Sequence, residues 1–189
     1  MDIKALHESP RVAAMLDQVR KMMQQPAPRR VPPEVWRRAR SPIARFLLVM
    51  GIFFTAFGAL MTLVDTPEPA LLPVIGLSAA LPLVAALVAL YRLAITRKVL
   101  STGHLYNGKV LTVKPLPARI NGRTFFSAAV EFEGPGGARI RGKDTIDNWC
   151  SEYFLNARDT GEDVEVIYAP NPIGKVLLPM KIAIGNRYD

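Results

Sequence analysis

Few residues of this 189-residue chain have the chemistry of a nucleophile or a metal ligand. The single cysteine, Cys150, cannot form an internal disulfide or a cysteine-based zinc cluster. His7 and His104 lie far apart, and neither stands in His-Glu-x-x-His spacing. A cysteine nucleophile also needs a nearby base, and neither histidine is close to Cys150 in sequence. We therefore expect Cys150 to be a small buried hydrophobe, and the sequence indicates no catalytic, metal-binding or cofactor-binding residue.

Two other stretches could carry chemistry. The run Gly134-Pro135-Gly136-Gly137 lacks the Lys-Ser/Thr ending of a phosphate loop and leads into a strand, so it is interpreted as a turn. Downstream, Asp144 could cap a short helix with Asp147 in its first turn, and Trp149–Phe154 would cover the apolar face of a sheet. An active site under this cover would need Asp144, Asp147 or Glu152 to converge with a second polar group.

The longest elements are two uncharged apolar runs, Phe46–Val64 and Ala70–Tyr91, joined by the link Asp65–Pro69. Each run is about 20 residues long, the length that a helix needs to cross a bilayer. The sequence therefore predicts a transmembrane helical hairpin. The first run begins too late, after too long a polar leader, to be a cleaved signal peptide. Both spans lack ionisable residues, which argues against a transporter or a channel.

The distribution of charge predicts how this hairpin is oriented. The net charge of +8 divides into an excess of +6 before the hairpin, −2 within it and +4 after it. This is the positive-inside pattern, so we expect both termini to be cytoplasmic and the protein to be a multi-pass protein of a bacterial inner membrane. The membrane-interface residues predicted from this pattern and from aromatic placement are Trp36, Arg37, Arg38, Arg40, Arg45, Tyr91, Arg92, Arg97 and Lys98.

Small residues within the two runs suggest how the helices pack. They recur at spacings that bring helix backbones close together, and Pro82 should kink the second helix. Packing within the hairpin and packing between copies both fit this pattern. The predicted helix-packing residues are Gly51, Thr55, Gly58, Gly76 and Ala80.

Residues 1–33 are predicted to form an amphipathic helix followed by a Pro-rich linker. Ser9 and Pro10 have the chemistry of a helix N-terminus, and an apolar stripe follows at Val12, Leu16, Val19 and Met23. This helix could pack on its own protein, or lie on lipid or a partner chain. Residues 34–100 hold the juxtamembrane segment and the hairpin, and the second helix should end near Ser101–Gly103.

Residues 101–189 are predicted to form a small cytoplasmic β-domain. Strands are indicated at Lys109–Lys114, closed by Pro115 and Pro117, and at Phe125–Glu133, with a tight turn at Asn121-Gly122 between them. In the strand Ala138–Lys143, pairing Phe132 with Ala138 and Val130 with Ile140 keeps apolar residues on one face. This register sets Glu131 opposite Arg139. Two interpretations of the basic stripe stay open, an interaction patch and a solvated face with cross-strand ion pairs; its residues are Arg139, Arg141 and Lys143.

The last strands carry a motif that resembles a known family. The stretch Gly161–Pro172 contains Val164-x-Val166-x-Tyr168-x-Pro170, and Val176-Leu177-Leu178 follows. It is similar to the closing motif of a widespread bacterial family of unknown function that joins a two-helix membrane hairpin to a small β-domain. This chain departs from the motif in placing Pro172 one residue early and Ala169 where an acidic residue is common. The resemblance implies an architecture over about residues 46–180, and no activity.

The sequence thus predicts a membrane α+β protein, with a transmembrane hairpin and a small, mainly antiparallel β-domain, barrel or sandwich-like, with one short helix. We expect a non-enzymatic integral inner-membrane protein whose β-domain serves as an interaction or assembly module. The alternative is binding of anionic lipid or nucleic acid through the basic juxtamembrane segments, and an enzyme under the Trp149–Phe154 cover is a third hypothesis. The expected partners are membrane lipid and a protein or a second copy. Nucleic acid, cofactors and a small-molecule substrate are not expected.

Overall fold

The computed structural model describes residues 9–39, 42–64, 72–120, 123–170 and 174–184. The chain forms two compact units, a helical unit between Arg40 and Ile95 and a β unit made of the described residues before Arg40 and after Ile95. The described helices, in chain order, are α1 (Pro10–Gln24), α2 (Pro33–Ala39), α3 (Pro42–Val64), α4 (Leu72–Thr102), α5 (Asn148–Thr160) and α6 (Pro179–Ile184). The described strands are β1 (His104–Ile120), β2 (Arg123–Glu133), β3 (Arg139–Asp147), β4 (Asp163–Ala169) and β5 (Lys175–Leu177), with a 3₁₀ turn at Pro135–Gly137.

The β unit is built on one antiparallel sheet that almost closes on itself. Its strand order is β3-β2-β1-β4-β5, so β3 and β5 are the two edges. These edges approach each other at Gly142, where an added Cβ would collide with the side chain of Val176. Glycine at this position therefore allows the edges to come together, which leaves little of either edge open.

A β-bulge in β1 decides which residues of this strand face the core. Val110 pairs with Val130 and Thr112 pairs with Ala129, so Leu111 is the extra residue. Val110 and Val113 are therefore both buried, whereas Leu111 is exposed. Strict alternation along this strand would place Val110 and Val113 on opposite faces, and it does not continue across the bulge.

The strand β1 also continues beyond its predicted end. It extends to Ile120, and its register with β2 shifts between Pro115 and Arg119. Pro115 and Pro117 lie at this irregularity, where a residue without an N–H donor is tolerated in a strand. Ile120 pairs with Arg123 across the predicted turn Asn121-Gly122, which lies outside the described residues.

The pairing of β2 with β3 differs from the predicted register by two residues. Phe132 pairs with Ile140 and Glu131 with Arg141, where Ala138 and Arg139 were expected. Because side chains alternate with a period of two, this shift keeps every residue on its predicted face. The alternation pattern therefore fixed the face but not the register.

Helices α1 and α5 begin at capping side chains. The Ser9 hydroxyl accepts a hydrogen bond from the Val12 N–H at 3.4 Å, as expected for an N-cap followed by Pro10. For α5 the cap is Asp147, which accepts from the Cys150 N–H at 3.0 Å, and Gly161 ends the helix in the left-handed conformation. The expectation that Asp144 caps this helix is wrong, because Asp144 lies within β3 and serves a different contact.

The core of the β unit lies between the sheet and three of its helices. Phe154 of α5 is 1% exposed, and α5 contacts β1, β2 and β3. The apolar face of α1 is also buried, mainly against α6, so this face of the helix is covered by its own chain. The α1 residues that the structure buries are Val12, Met15, Val19, Met22 and Met23.

The predicted Pro-rich linker contains a buried arginine. Arg29 is 6% exposed, its Nη1 donates to the Gly103 carbonyl at 2.7 Å, and its Nε donates to the Gln25 carbonyl at 3.2 Å. Its main-chain N–H donates to the Ser101 carbonyl at 2.9 Å. Burial lowers the pKa of the guanidinium from its ordinary value. The segment between α1 and α2 is thus tied to the end of α4.

The helical unit corrects the membrane prediction. Among the residues that the structure describes, none of the helices combines the length and the apolar character that crossing a bilayer requires. The membrane fold class, the transmembrane spans at 46–64 and 70–91, the multi-pass inner-membrane localisation and the function as an integral membrane protein are therefore wrong. An uncharged apolar run indicates that the helix is favourably surrounded by apolar groups. The run does not indicate whether those groups belong to lipid or to protein. The alternative of anionic-lipid or nucleic-acid binding through the basic segments stays a prediction. The predicted link Asp65–Pro69 lies outside the described residues.

Candidate functional site

The most unusual surface of the chain is apolar and belongs to the helical unit. Among the residues that the structure describes there, fourteen large apolar side chains are exposed, seven on α3 and seven on α4, with exposed fractions between 38% and 63%. Monomeric proteins seldom expose contiguous apolar patches larger than a few hundred Å². We call this set the apolar helical surface: Leu47, Val49, Ile52, Phe53, Phe54, Phe57, Leu60, Leu81, Leu83, Val84, Leu87, Val88, Leu90 and Tyr91.

Three phenylalanines form an aromatic cluster on the α3 side of this surface. The rings of Phe53 and Phe57 stack, with centroids 6.4 Å apart and an interplanar angle of 12°. Phe54 meets Phe53 edge to face at 5.6 Å. Phe53 and Phe57 are nevertheless 59% and 51% exposed, so their mutual contact covers only part of each ring. Aromatic side chains are enriched at protein–protein interfaces, where they contribute much of the binding energy.

The inner side of the helical unit is lined with small residues. Gly51 is buried, and a Cβ added there would lie 2.7 Å from the Ala86 Cβ and would also collide with the Pro82 carbonyl oxygen. Ala86 and Ala89 are 3% and 2% exposed. The backbones of α3 and α4 therefore approach closely at Gly51. Ala86 is a contact residue that was not predicted from the sequence, and Ala89 is buried on the same helix.

The other predicted helix-packing residues occupy less enclosed positions. Thr55 and Gly58 are half-buried and Ala80 is exposed, while the surroundings of Gly76 lie outside the described part. The sequence signal for this contact is the frequent alanine of α4, because a glycine on one helix and an alanine on the other allow a close helix contact.

The predicted membrane-interface residues are dispersed. In the β unit, Val35 of α2 is fully buried, Trp36 is half-buried beside it, and Arg38 Nη1 donates to the Ala183 carbonyl at 2.8 Å. Arg40 and the side chain of Arg45 lie outside the described residues. The remaining members of the set are exposed: Arg37, Tyr91, Arg92, Arg97 and Lys98.

The basic stripe on β3 faces a row of compensating charges. Glu131 lies between Arg141 and Lys109 in register, and Lys109 in turn lies opposite Asp163. Charges therefore alternate in sign across four strands. Arg141 Nε is 2.6 Å from Glu131 Oε2, and this hydrogen bond holds the pKa of the Glu131 carboxyl below its ordinary value.

The rest of the stripe does not form a concentrated positive patch. Arg139 pairs with Glu133 in register, and Lys143 lies opposite Ala129, which carries no charge. An open cleft of about 610 Å³ lies along the same charges, and Asn107, Glu133, Arg139 and Asp163 are among its lining residues. Its acidic and basic side chains are mixed, so the cleft presents no dominant sign of charge to a ligand.

The region around Cys150 offers little for catalysis. Cys150 is fully buried, and desolvation, followed by the nearby Asp147 carboxylate, raises the pKa of its thiol well above the ordinary value. A protonated, enclosed thiol is a poor nucleophile. Phe154 lies in the core and Trp149 and Tyr153 are half-buried beside it, whereas Glu152 is exposed.

Asp144 is used to close the sheet. Its Oδ1 accepts from Lys181 Nζ at 3.0 Å, and its Oδ2 accepts from the Leu178 N–H at 3.3 Å. The side chain of Asp144 is 7% exposed and that of Lys181 is 23% exposed. We call this pair of contacts the clasp, since it ties β3 to the chain just after β5. Within the described residues, no group of three or more His, Cys, Asp or Glu side chains could hold a metal ion.

Comparisons with known proteins do not assign this chain to a family. No family model matches the chain, and neither the curated proteins nor the solved structures contain a match to it. The resemblance of Gly161–Pro172 to a family motif stays a prediction; in the structure Val164, Val166 and Tyr168 of this stretch are buried residues of β4.

Proposed function

We propose that this protein is a non-catalytic assembly protein that associates with further copies of itself through the apolar helical surface. The observation that carries the proposal is the exposure of fourteen large apolar side chains on α3 and α4. Leaving such a surface in water is unfavourable by about 25 cal/mol per Å² of apolar area. Association that covers it is therefore strongly favoured.

The available area is sufficient for a specific interface. A large aromatic side chain has about 150–250 Å² of surface, and those of this set are roughly half exposed. Ten of the fourteen side chains are aliphatic and smaller, so the sum over α3 and α4 is on the order of 1,000 Å², at the lower end of the area buried in specific interfaces. The described stretches Leu47–Leu60 and Ala80–Tyr91 carry no charged residue, so the matching partner surface is also apolar.

A second copy of the chain meets this requirement. Each copy carries the same uncharged helical surface, and most homo-oligomers form by such matching of surfaces between identical subunits. A non-catalytic role is supported by the enclosed, protonated thiol of Cys150 and by the use of Asp144 in the clasp.

Light scattering coupled to size-exclusion chromatography of the full-length protein tests this proposal. We expect the wild type to be oligomeric and the double variant Phe53→Ser, Phe57→Ser to shift to smaller species. Leu111→Ser is the matched control, because Leu111 is an exposed apolar residue of β1, 37% exposed, outside the helical unit. Circular dichroism verifies that each variant stays folded.

Two results would overturn the proposal. One is a wild-type protein that is monomeric in buffer at all concentrations. The other is a protein that stays dispersed only as a detergent-bound monomer, because something other than a second copy would then cover the surface.

A further inference from the structure

Two stripes of exposed apolar residues, one on each helix of the helical unit, point away from each other. On α3, the exposed residues Val49, Phe53, Phe57 and Leu60 follow at intervals of four, four and three. On α4, the exposed residues Ala80, Val84, Leu87 and Tyr91 follow at intervals of four, three and four. We call these the α3 stripe and the α4 stripe.

Helix geometry places the α3 stripe on the side opposite the hairpin contact. Residues two apart on a helix point about 200° apart, so Val49 and Phe53 point away from the direction of Gly51. Gly51 faces Pro82 and Ala86 of α4. The α3 stripe therefore faces away from α4.

The same geometry applies to the second helix. Val84 is two residues from the buried Ala86, and Leu87 and Tyr91 are each two residues from the buried Ala89. The α4 stripe thus faces away from α3. A single two-fold contact can cover one of the stripes and leaves the other in water.

We propose that copies associate head to tail, with the α3 stripe of one copy packed against the α4 stripe of the next. This inference rests on the proposed function. Both stripes span twelve residues, and eleven steps of about 1.5 Å give about 16 Å of helix, so they match in length. A head-to-tail contact covers both stripes of every interior copy with one type of interface.

The side chains of the two stripes favour packing of an α3 stripe against an α4 stripe over packing of two identical stripes. The α3 stripe has Phe53 and Phe57 at its centre, and their ring faces are already turned toward each other. The α4 stripe is aliphatic at its centre, with Val84 and Leu87. Large rings on one helix fit between smaller aliphatic side chains on the other as knobs into holes, whereas two aromatic stripes would crowd four rings along one line.

Disulfide trapping of the full-length protein tests this contact. We would prepare Phe57→Cys and Leu87→Cys as separate variants that carry tags of different size, co-express them and oxidise mildly. The expected result is a strong cross-link between the two variants when mixed and little cross-linking of either variant alone. Cys150 can stay in place because it is fully buried, and the untagged wild type controls for its contribution. Leu111→Cys controls for random collision of exposed thiols.

The outcomes separate this inference from the proposed function. If each variant alone cross-links as well as the mixture does, the contacts are like with like and the head-to-tail arrangement is overturned, while self-assembly stands. If the wild type is oligomeric but no variant cross-links, a second pair, Phe53→Cys with Val84→Cys, repeats the test, and failure of both pairs overturns the arrangement. A monomeric wild type overturns both proposals.

Discussion

Phenylalanine occupies opposite environments in the two units of this protein. Phe154 of the β unit is 1% exposed beneath α5, whereas Phe57 of the helical unit is 51% exposed. In the β unit, the large apolar side chains are covered by the same chain, so their burial stabilises the fold of one copy. In the helical unit, the inner face is occupied by Gly51, Ala86 and Ala89, and the large side chains point outward. The same residue type therefore supports folding in one unit, and in the other we propose that it supports association.

Charge follows the opposite distribution. The outward face of the sheet carries Arg141, Glu131, Lys109 and Asp163 in one row of alternating sign, whereas the described exposed stretches of α3 and α4 between Leu47 and Tyr91 are uncharged. Cross-strand ion pairs of this kind keep a sheet face hydrated and specify few partners. The exposed polar face of this protein is thus compensated by its own charges, whereas the exposed apolar face is the one for which we propose a partner.

The largest effect on folding stability is expected when Phe154 and Phe57 are replaced by alanine in separate variants. Phe154→Ala removes a fully buried ring and leaves a cavity, so we expect the free energy of unfolding to fall by about 3–5 kcal/mol. Phe57→Ala should change the unfolding of a single copy by less than about 1 kcal/mol but should weaken association. Urea denaturation followed by circular dichroism measures the first effect, and the concentration dependence of the oligomer measures the second. Equal losses of folding stability in the two variants would remove the distinction between the units.

The clasp should produce the next largest effect. Asp144→Asn removes the charge that pairs with Lys181, and because the carboxylate is nearly buried we expect a loss of about 2 kcal/mol of folding stability. The double variant Asp144→Asn, Lys181→Met should be more stable than the sum of the two single losses predicts. Additive losses in this cycle, measured by urea denaturation, would mean that the two side chains do not act together.

The close approach of the sheet edges predicts a smaller loss that can be repaired. Gly142→Ala inserts a methyl group against Val176, so we expect a loss of about 1–3 kcal/mol. The second substitution Val176→Ala makes room and should recover part of this loss, although it also removes buried apolar surface. If Gly142→Ala is as stable as the wild type in thermal unfolding, the two edges do not meet as described.

The smallest effect concerns the charged row on the sheet. Arg141 lowers the pKa of Glu131 in the folded state, so the stabilisation from this pair is present above the ordinary glutamate pKa and is lost as the pH falls through the lowered value. Arg141→Gln should move the pKa of Glu131 upward, toward its ordinary value. NMR titration of the Glu131 carboxyl measures the shift, and Lys143→Gln is the control because Lys143 lies opposite Ala129. An unchanged Glu131 pKa in Arg141→Gln would contradict the pairing.

Local sequence signals located several elements well. The Ser9-Pro10 start of α1 has the expected capping contact, α4 ends at Thr102, within the expected region near Ser101–Gly103, and the predicted strand Phe125–Glu133 lies within β2. Each of these depends on interactions between residues close in sequence. Such interactions are set by residue type and spacing alone, so a single sequence is sufficient to predict them.

The features that were missed depend on distant residues or on degenerate patterns. Alternation in β2 and β3 is unchanged by a shift of two residues, so the pairing of Glu131 with Arg141 could not be read from it. The bulge at Leu111 is decided by the pairing partner, and Asp144 is drawn away from α5 by Lys181, which lies 37 positions later. The apolar runs indicated correctly that large side chains need apolar neighbours, but an uncharged helix gives no sign of which neighbours those are. The residues of the candidate surface were therefore visible in the sequence, while their division into inner and outer faces was not.

Arg29 has a consequence for any shortened form of this chain. Its guanidinium and main-chain N–H satisfy carbonyl groups at Gly103 and Ser101, more than seventy positions downstream. The last turn of a 31-residue helix is consequently finished by a segment that precedes the helix in the chain. A fragment that begins at Pro33 would keep every residue of α4 and still lose these donors, so its C-terminal turn should fray and amide exchange around Ser101 should accelerate.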